Sequence, residues 1–266
     1  MIEILRILIA LFGTGIAAYY DMYNKKNVPD VLLFGFLAVA LMINLVDPTY
    51  FMKYIVVAGL ITAVFYLMYR IGQLGGADVI VLAAIYAALP VFPLSEEAMF
   101  PSILVVVSIA TVLASVWILF RYLPELLKKT FKGKVRFSLA QLIQVVVLLF
   151  ALAMMLYLFI SFPYISPWIM VLVLLLFVEA IFFILYKDEI SKSMVVWKKK
   201  VEQEDVIAIE LVKMELVKKY KLSRLVSAKQ AKAMNKLKNK WPVLDMPMFL
   251  PFILIGLIMY LLMGFV

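Results

Sequence analysis

The chain has 266 residues, of which 66% are hydrophobic and 16% are charged. Water-soluble domains average about 45–50% apolar and about 25% charged residues, so this composition excludes a water-soluble fold. The net charge of +9 would suit a nucleic-acid partner, but in a membrane protein an excess of Lys and Arg more often marks the cytoplasmic loops. We therefore expect a lipid bilayer as a partner of the chain, and no nucleic acid.

Cysteine and histidine are both missing from the sequence. Disulfide frameworks, thiolate metal sites, histidine-ligated haem and the Cys–His and Ser–His–Asp nucleophile systems are excluded with them. We expect neither a metal nor another cofactor. Any hydrolytic chemistry would have to use carboxylates, or Ser or Thr together with Lys.

Long apolar stretches predict an all-α fold, a polytopic bundle of about eight transmembrane helices. A bilayer core of ~30 Å needs about 17–25 largely apolar residues per helix. The stretches that qualify are 4–20, 31–46, 54–71, 79–94, 102–120, 139–160, 168–186 and 247–264. The first stretch could also be a cleaved signal peptide, but Glu3 before it and Tyr19-Tyr20-Asp21 directly after Ala17-Ala18 favour a retained span.

The basic residues fall mainly on one side of the membrane when the predicted loops are assigned alternately to its two sides. One side receives 24 of the 26 Lys and Arg residues, and only Arg6 and Lys53 fall on the other. Since positive residues stay cytoplasmic during insertion, the basic side is predicted to be cytoplasmic and both termini to be outside. The chain is then divided into a catalytic bundle (1–186), a basic cytoplasmic insertion (187–245) and a C-terminal transmembrane helix (246–266).

Two carboxylates lie at the predicted cytoplasmic ends of their helices. Asp21 ends the first span and Asp78 begins the fourth. A carboxylate at membrane depth costs about 2.5–3.5 kcal/mol, so it is rarely accidental. Two carboxylates within a few ångströms share a proton, and the ionised one can then deprotonate water while the protonated one polarises a carbonyl. Asp21 and Asp78 are therefore a candidate aspartic dyad.

The residues before Asp78 are Gly75, Gly76 and Ala77, which have little or no side chain. Small residues let a substrate backbone or a neighbouring helix approach closely. The alternative is that Asp21 is an interfacial loop residue and Asp78 an N-terminal helix cap.

These motifs resemble the type IV prepilin and preflagellin (archaellin) peptidases, which are membrane aspartic proteases with a GxGD motif. The family pattern of an Asp after the first span, a basic loop and a Pro-Asp start to the next span is matched by Asp21, Lys25, Lys26, Pro29 and Asp30. Gly75-Gly76-Ala77-Asp78 resembles the second motif, with Ala77 where the third position is usually Gly. The proline-containing helix at the end of the family is similar to the last span, which contains Pro251.

The resemblance implies an endopeptidase that cleaves the short, positively charged leader of pilin-like precursors at the cytoplasmic face. Asp21 and Asp78 would be its catalytic residues, and Lys25, Lys26 and Gln73 lie near enough to contact substrate. Bacterial members commonly have a four-cysteine zinc loop and a methyltransferase activity; without cysteine, the resemblance points to a peptidase-only archaeal form.

Other interpretations stay open. Presenilin-like proteases also use GxGD and a Tyr-Asp motif like Tyr20-Asp21, but their catalytic helices are consecutive, whereas two spans intervene here. A transporter could use Asp21, Asp78 and Glu179 as an ion path, although no internal repeat is visible. A non-catalytic scaffold of pilus assembly would tolerate changes at both aspartates. We interpret Glu179 itself as structural, either protonated or hydrogen-bonded to a neighbouring helix.

The insertion is predicted to be helical. Glu204–Tyr220 predicts one helix, and Ser227 with Gln230 predicts a capping box that opens a second. Its lysines favour a surface on anionic lipid headgroups, with guiding or gating of the precursor as the alternative.

Overall fold

The computed structural model describes residues 2–23, 28–46, 48–90, 102–133, 135, 137–161, 167–212, 214–220, 222–237, 239–245 and 247–264. The helices are α1 (Ile2–Tyr23), α2 (Asp30–Met42), α3 (Pro48–Arg70), α4 (Gly76–Ala88), α5 (Ser102–Phe131), α6 (Leu139–Ser161), α7 (Pro167–Ser193), α8 (Met214–Tyr220), α9 (Ala228–Asn235) and α10 (Leu250–Gly264). Two short strands, β1 (Val195–Lys198) and β2 (Trp241–Leu244), pair in a single sheet.

The chain forms two compact units. One consists of Met1–Thr111 together with Val196–Val266, and the other of Val112–Val195. The predicted division into 1–186, 187–245 and 246–266 stays a prediction.

The α4 helix forms the centre of the first unit. It contacts α1, α2 and α3, while α1 also contacts α10. From Val79 to Ala88, α4 is apolar on all sides and mostly buried, which is the pattern of a helix surrounded by other helices. Alanines of α1 and α4, such as Ala10, Ala17 and Ala84, are buried in the same core, and their small side chains allow neighbouring helices to pack closely.

A buried polar cluster joins α1 to the C-terminal end of α4. Arg6 is 1% exposed, and its Nη1 donates to Oδ1 of Asn44 over 2.8 Å and to the carbonyl of Ala88 over 3.1 Å. The Asn44 amide donates in turn to the carbonyls of Ala40 and Ala87, each over 3.0 Å. The last carbonyls of a helix have no partner within it and carry partial negative charge, so a guanidinium is a favourable partner there. This cluster therefore fixes the end of α4 against α1 and α2.

Residues 196–245 pack around a second core, which includes Ile207, Met234 and Trp241. The prediction of a helix from Glu204 to Tyr220 is wrong in its first part, because Val206 and Ile207 form antiparallel bridges with Leu225 and Val243. A short 3-10 turn follows, and the helix α8 begins only at Met214. Two β-branched residues that are buried together favour strand pairing over a helix face.

The insertion is consequently not purely helical. The predicted capping box at α9 is confirmed, because Ser227 Oγ accepts from the Gln230 amide over 3.3 Å. Gln230 Oε1 accepts reciprocally from the Ser227 amide over 2.9 Å.

The second unit contains α6, α7 and the part of α5 from residue 112 onward. Its buried cluster is formed by Leu126, Phe182, Tyr186 and Ile190. Glu179 is buried in α7 and accepts a 2.5 Å hydrogen bond from Ser115 Oγ of α5, which agrees with the structural interpretation of that carboxylate.

Three helices in the described part of the chain are long and apolar enough to cross a membrane, namely Ile2–Tyr23, Ser102–Phe131 and Leu139–Tyr157. Shorter apolar helices occupy Asp30–Leu45, Ile55–Arg70, Gly76–Ala88 and Leu250–Met263. The predicted all-α class is confirmed, apart from the small sheet, and the number of eight spans stays a prediction.

Replacing Arg6 tests the polar cluster. Arg6→Gln removes the guanidinium from Asn44 and Ala88, and should lower the free energy of unfolding by about 3 kcal/mol because buried acceptors lose their partner. Thermal unfolding in detergent measures this change. Lys229→Gln, which removes an exposed charge on α9, should stay within about 0.5 kcal/mol of the unaltered protein. Equal unfolding temperatures for both variants would contradict the role given to Arg6.

Candidate active site

The turn between α3 and α4 delivers the Gly-Gly-Ala-Asp motif to the start of α4. α3 ends in a Schellman-type cap in which the Gln73 amide donates to the Met68 carbonyl and the Gly72 amide to the Tyr69 carbonyl, both over 2.9 Å. Gly72 has φ of +74°, a conformation that glycine adopts without strain. The chain therefore reverses tightly here, and Gly75 precedes the first residue of α4.

Asp78 lies in the first turn of α4. Its Oδ2 accepts a hydrogen bond from the Gly75 amide over 3.0 Å, so the carboxylate satisfies a donor at the start of the helix. A Cβ on Gly75 would lie 3.0 Å from that same oxygen. Glycine at position 75 thus permits the close approach of the Asp78 carboxylate, and the alternative interpretation of Asp78 as a helix cap describes a contact that is present.

Asp21 lies in the last turn of α1 and is 6% exposed. α1 packs against α4, and the hydrogen bond from Arg6 to the Ala88 carbonyl lies at the opposite end of this helix pair from Asp21 and Asp78. The two carboxylates that the sequence singled out therefore lie at the same end of the α1–α4 pair, and their pairing as a dyad stays a prediction. They come from helices separated by α2 and α3, as the spacing predicted.

α1 and α4 run in opposite directions along their contact. Arg6 near the start of α1 meets Ala88 at the end of α4, while Asp21 lies near the end of α1 and Asp78 near the start of α4. The arrangement leaves both acids at one end of the helix pair and the Arg6 cluster at the other.

Two other predicted site residues, Ala77 and Gln73, lie at the start of α4 and in the turn before it. Ala77 is partly buried and packs against the core of the first unit, and Gln73 is exposed in the α3–α4 turn. Lys25 and Lys26 lie outside the described residues. Among the described residues, no group of three or more Asp or Glu side chains could hold a metal ion.

Sequence reasoning missed Glu204 and Tyr69, which meet beside the motif. The Tyr69 hydroxyl at the end of α3 donates to Glu204 Oε1 over 3.0 Å. A Cβ on Gly76 would lie 3.1 Å from Glu204 Oε2, so the glycine leaves room for this carboxylate at the first residue of α4. The run Glu202-Gln203-Glu204-Asp205 is an acidic interruption of a basic segment, and that interruption was the one signal available in the sequence.

Glu204 is the one non-glycine residue with positive φ among the described residues, at +70°. This backbone conformation costs a residue other than Gly about 1–2 kcal/mol. A tight turn holds it in place. The Glu204 amide donates to the Val226 carbonyl over 2.9 Å, and the neighbouring Asp205 carboxylate pairs with Lys198 over 2.8 Å.

The contacts of Glu204 also locate residues 196–245 within the first unit. Val206 lies against Gly72, where a Cβ would be 3.3 Å from its Cγ1, and Glu204 lies against Gly76. The insertion therefore touches the end of the helix bundle at which Asp78 begins α4.

Comparison with known proteins gives one match. Residues 8–119 match the type IV leader peptidase family, a range that includes most of α1, all of α2–α4 and both aspartates. No curated protein and no solved structure matches the chain. The chain is therefore similar to the type IV leader peptidase family over residues 8–119.

Proposed function

We propose that the protein is a membrane aspartic endopeptidase that cleaves the N-terminal leader of type IV pilin-like precursors, either prepilin or preflagellin. The observation that carries the proposal is the position of Asp21 and Asp78 at one end of the packed α1–α4 pair, inside the matched residues. Because the sequence has neither Cys nor His, carboxylates are the leading option for activating water, and these two acids lie at one end of a helix pair within the matched residues.

The dyad would act through one shared proton. Two adjacent carboxylates do not both ionise comfortably, so one is ionised and the other protonated. The ionised acid takes a proton from a water molecule as that water attacks the scissile carbonyl, and the protonated acid donates a hydrogen bond to the carbonyl oxygen. Collapse of the tetrahedral intermediate passes a proton to the leaving amine and restores the starting state.

Glycine and helix geometry would position the acids for this reaction. The Gly75 amide holds one oxygen of Asp78 and leaves the other available for water or substrate. Asp21 is more deeply buried than Asp78, so the surrounding packing would restrict the position of its carboxylate.

The hydrophobic segment of the precursor would bind beside α1. An apolar groove of about 500 Å³ lies between α1 and α2, and its lining includes Phe12, Ala17 and Gly35. Ala17 is four residues before Asp21 and therefore on the same face of α1. An apolar helix in this groove would bring the residues that precede it in the precursor to the dyad.

The basic residue distribution supports a cytoplasmic site. The segment with most of the lysines, residues 196–245, contacts the same end of the bundle as Asp78, and positive residues stay cytoplasmic during insertion. The absence of cysteine fits the peptidase-only, archaeal form that the motifs resemble.

Single substitutions of the two acids test the dyad. Asp21→Asn and Asp78→Asn should each reduce cleavage of a pilin-like precursor by about 10²–10⁴-fold, because an amide can neither accept the proton of water nor supply one. Asn at position 78 can still accept from the Gly75 amide, so the helix start is preserved. Cleavage is followed by gel shift of the precursor with purified protein in detergent.

Asp188→Asn is the matched control, because it removes an exposed carboxylate at the end of α7. It should cleave like the unaltered protein, and unfolding temperatures should agree among the three variants. Undiminished cleavage by Asp21→Asn or Asp78→Asn would refute the dyad. Failure of the unaltered protein to cleave any pilin-like precursor would refute the proposed function and favour the transporter or scaffold interpretation.

Filling the groove tests the binding of the hydrophobic segment. A side chain at Gly35 would meet open space, so Gly35→Phe should fold normally and occupy the groove. We expect KM for a membrane-inserted precursor to rise about tenfold, by loss of apolar contact area. Gly59→Phe adds the same ring to α3, also into open space, and should leave KM unchanged. Equal kinetics for both variants would contradict binding in this groove.

A further inference from the structure

We infer that Glu204 is a specificity-determining residue that binds a cationic side chain of the substrate leader close to the scissile bond. The inference rests on the proposed function, since it assigns a binding subsite to the same active site. It concerns a residue outside the matched range 8–119, in the insertion that precedes α10.

The position of Glu204 is the first support. Its carboxylate lies against Gly76, the first residue of α4, and Asp78 follows two residues later. An extended peptide advances about 3.3 Å per residue, and a lysine side chain spans a comparable or longer distance. A cation bound at Glu204 therefore belongs to a substrate residue within a few positions of the bond that the dyad attacks.

The chemistry of the carboxylate is the second support. Oε1 accepts from the Tyr69 hydroxyl, which fixes the orientation of the group, and the side chain remains exposed. None of the ion pairs among the described residues uses Glu204, whereas neighbouring Asp205 is paired with Lys198 and Glu210 with Arg224. An oriented, exposed carboxylate without a basic partner in the described chain is suited to a basic group brought by a ligand.

The backbone of Glu204 is the third support. A glycine would occupy φ of +70° without strain, and the chain has a glutamate there instead. Backbone strain of this kind is characteristic of functional sites, where the side chain serves a purpose that the local fold does not need. Here the strained turn places the Glu204 carboxylate at the start of α4.

A structural role is the competing explanation. An anion near the N-terminus of a helix is stabilising by itself, and the Tyr69 contact could simply attach the insertion to α3. This explanation predicts that loss of the carboxylate affects every substrate equally. A substrate-binding role predicts that the effect depends on the charge of the leader.

The test compares two synthetic precursors, each of which consists of a leader and the hydrophobic segment that follows it. At the basic position nearest the cleavage site, one precursor has Lys and the other has Gln. Glu204→Gln should lower kcat/KM about tenfold for the Lys precursor, mainly through KM, and change it less than twofold for the Gln precursor. Glu204→Lys should restore cleavage of a third precursor with Glu at that position. Tyr69→Phe, which releases the carboxylate, should show a smaller loss confined to the Lys precursor.

The matched control is Glu202→Gln, which removes the same charge from the same turn two residues away. It should cleave both precursors like the unaltered protein. Glu204→Gly relieves the backbone strain and should unfold at an equal or higher temperature, while it loses the preference for Lys as Glu204→Gln does. Equal losses on both precursors, or no loss on either, would overturn the inference while the proposed function stands.

A fluorescently labelled form of each precursor, titrated into protein carrying Asp78→Asn, measures binding without cleavage. The preference for the Lys form should disappear when Glu204→Gln is added. If the unaltered protein cleaves neither precursor, the proposed function fails, and this binding comparison still decides whether Glu204 recognises the cation.

Discussion

The contact of the Arg6 guanidinium with the end of α4 determines how α1 and α4 align, and the candidate site depends on that alignment. Arg6 and Asp21 are fifteen residues apart on α1, about 22 Å at 1.5 Å per residue. Asp78 and Ala88 are separated by about 15 Å on α4, and the long arginine side chain covers most of the difference. Because apolar helix faces can slide past one another at little cost, a buried polar contact at one end specifies the relation of the acids at the other.

The end of the bundle that contains the acids is built by different means. Glycines at 72, 75 and 76 allow, in turn, a tight reversal, the approach of the Asp78 carboxylate and the approach of Glu204. None of these contacts is strong alone. Together they bring α3, α4 and a segment more than a hundred residues further along the chain to one place. The first unit is thus held by a specific polar cluster at one end and by close backbone approach at the other.

Much of this arrangement could be predicted from the sequence, because the informative residues are few and are energetically unfavourable next to apolar helices. Asp21 and Asp78 could be identified because carboxylates beside apolar helices are rare, and the glycines before Asp78 could be identified because they are consecutive. The all-α class followed from apolar length. The Ser227–Gln230 capping box followed from local chemistry that needs no tertiary context.

The insertion was harder to predict, since its structure depends on contacts between residues distant in sequence. Val206 and Ile207 are compatible with a helix face until Leu225 and Val243 are known to pair with them. Glu204 lies in a conformation that its residue type disfavours, so no propensity could indicate it. The role of Arg6 was also hidden, because the sequence placed it at a membrane boundary, where a basic residue needs no partner.

The first unit is assembled from two separated stretches of chain, and this has a consequence for biogenesis. During synthesis, α1–α4 with both acids are made well before residues 196–245 and α10 exist. α10 packs on α1, and the insertion supplies Glu204. A nascent chain that contains both aspartates therefore still lacks one of the helices that pack on α1 and the carboxylate that lies against Gly76. Under the proposed function, proteolytic competence would then arise late in translation, after the polypeptide between the two stretches has been synthesised.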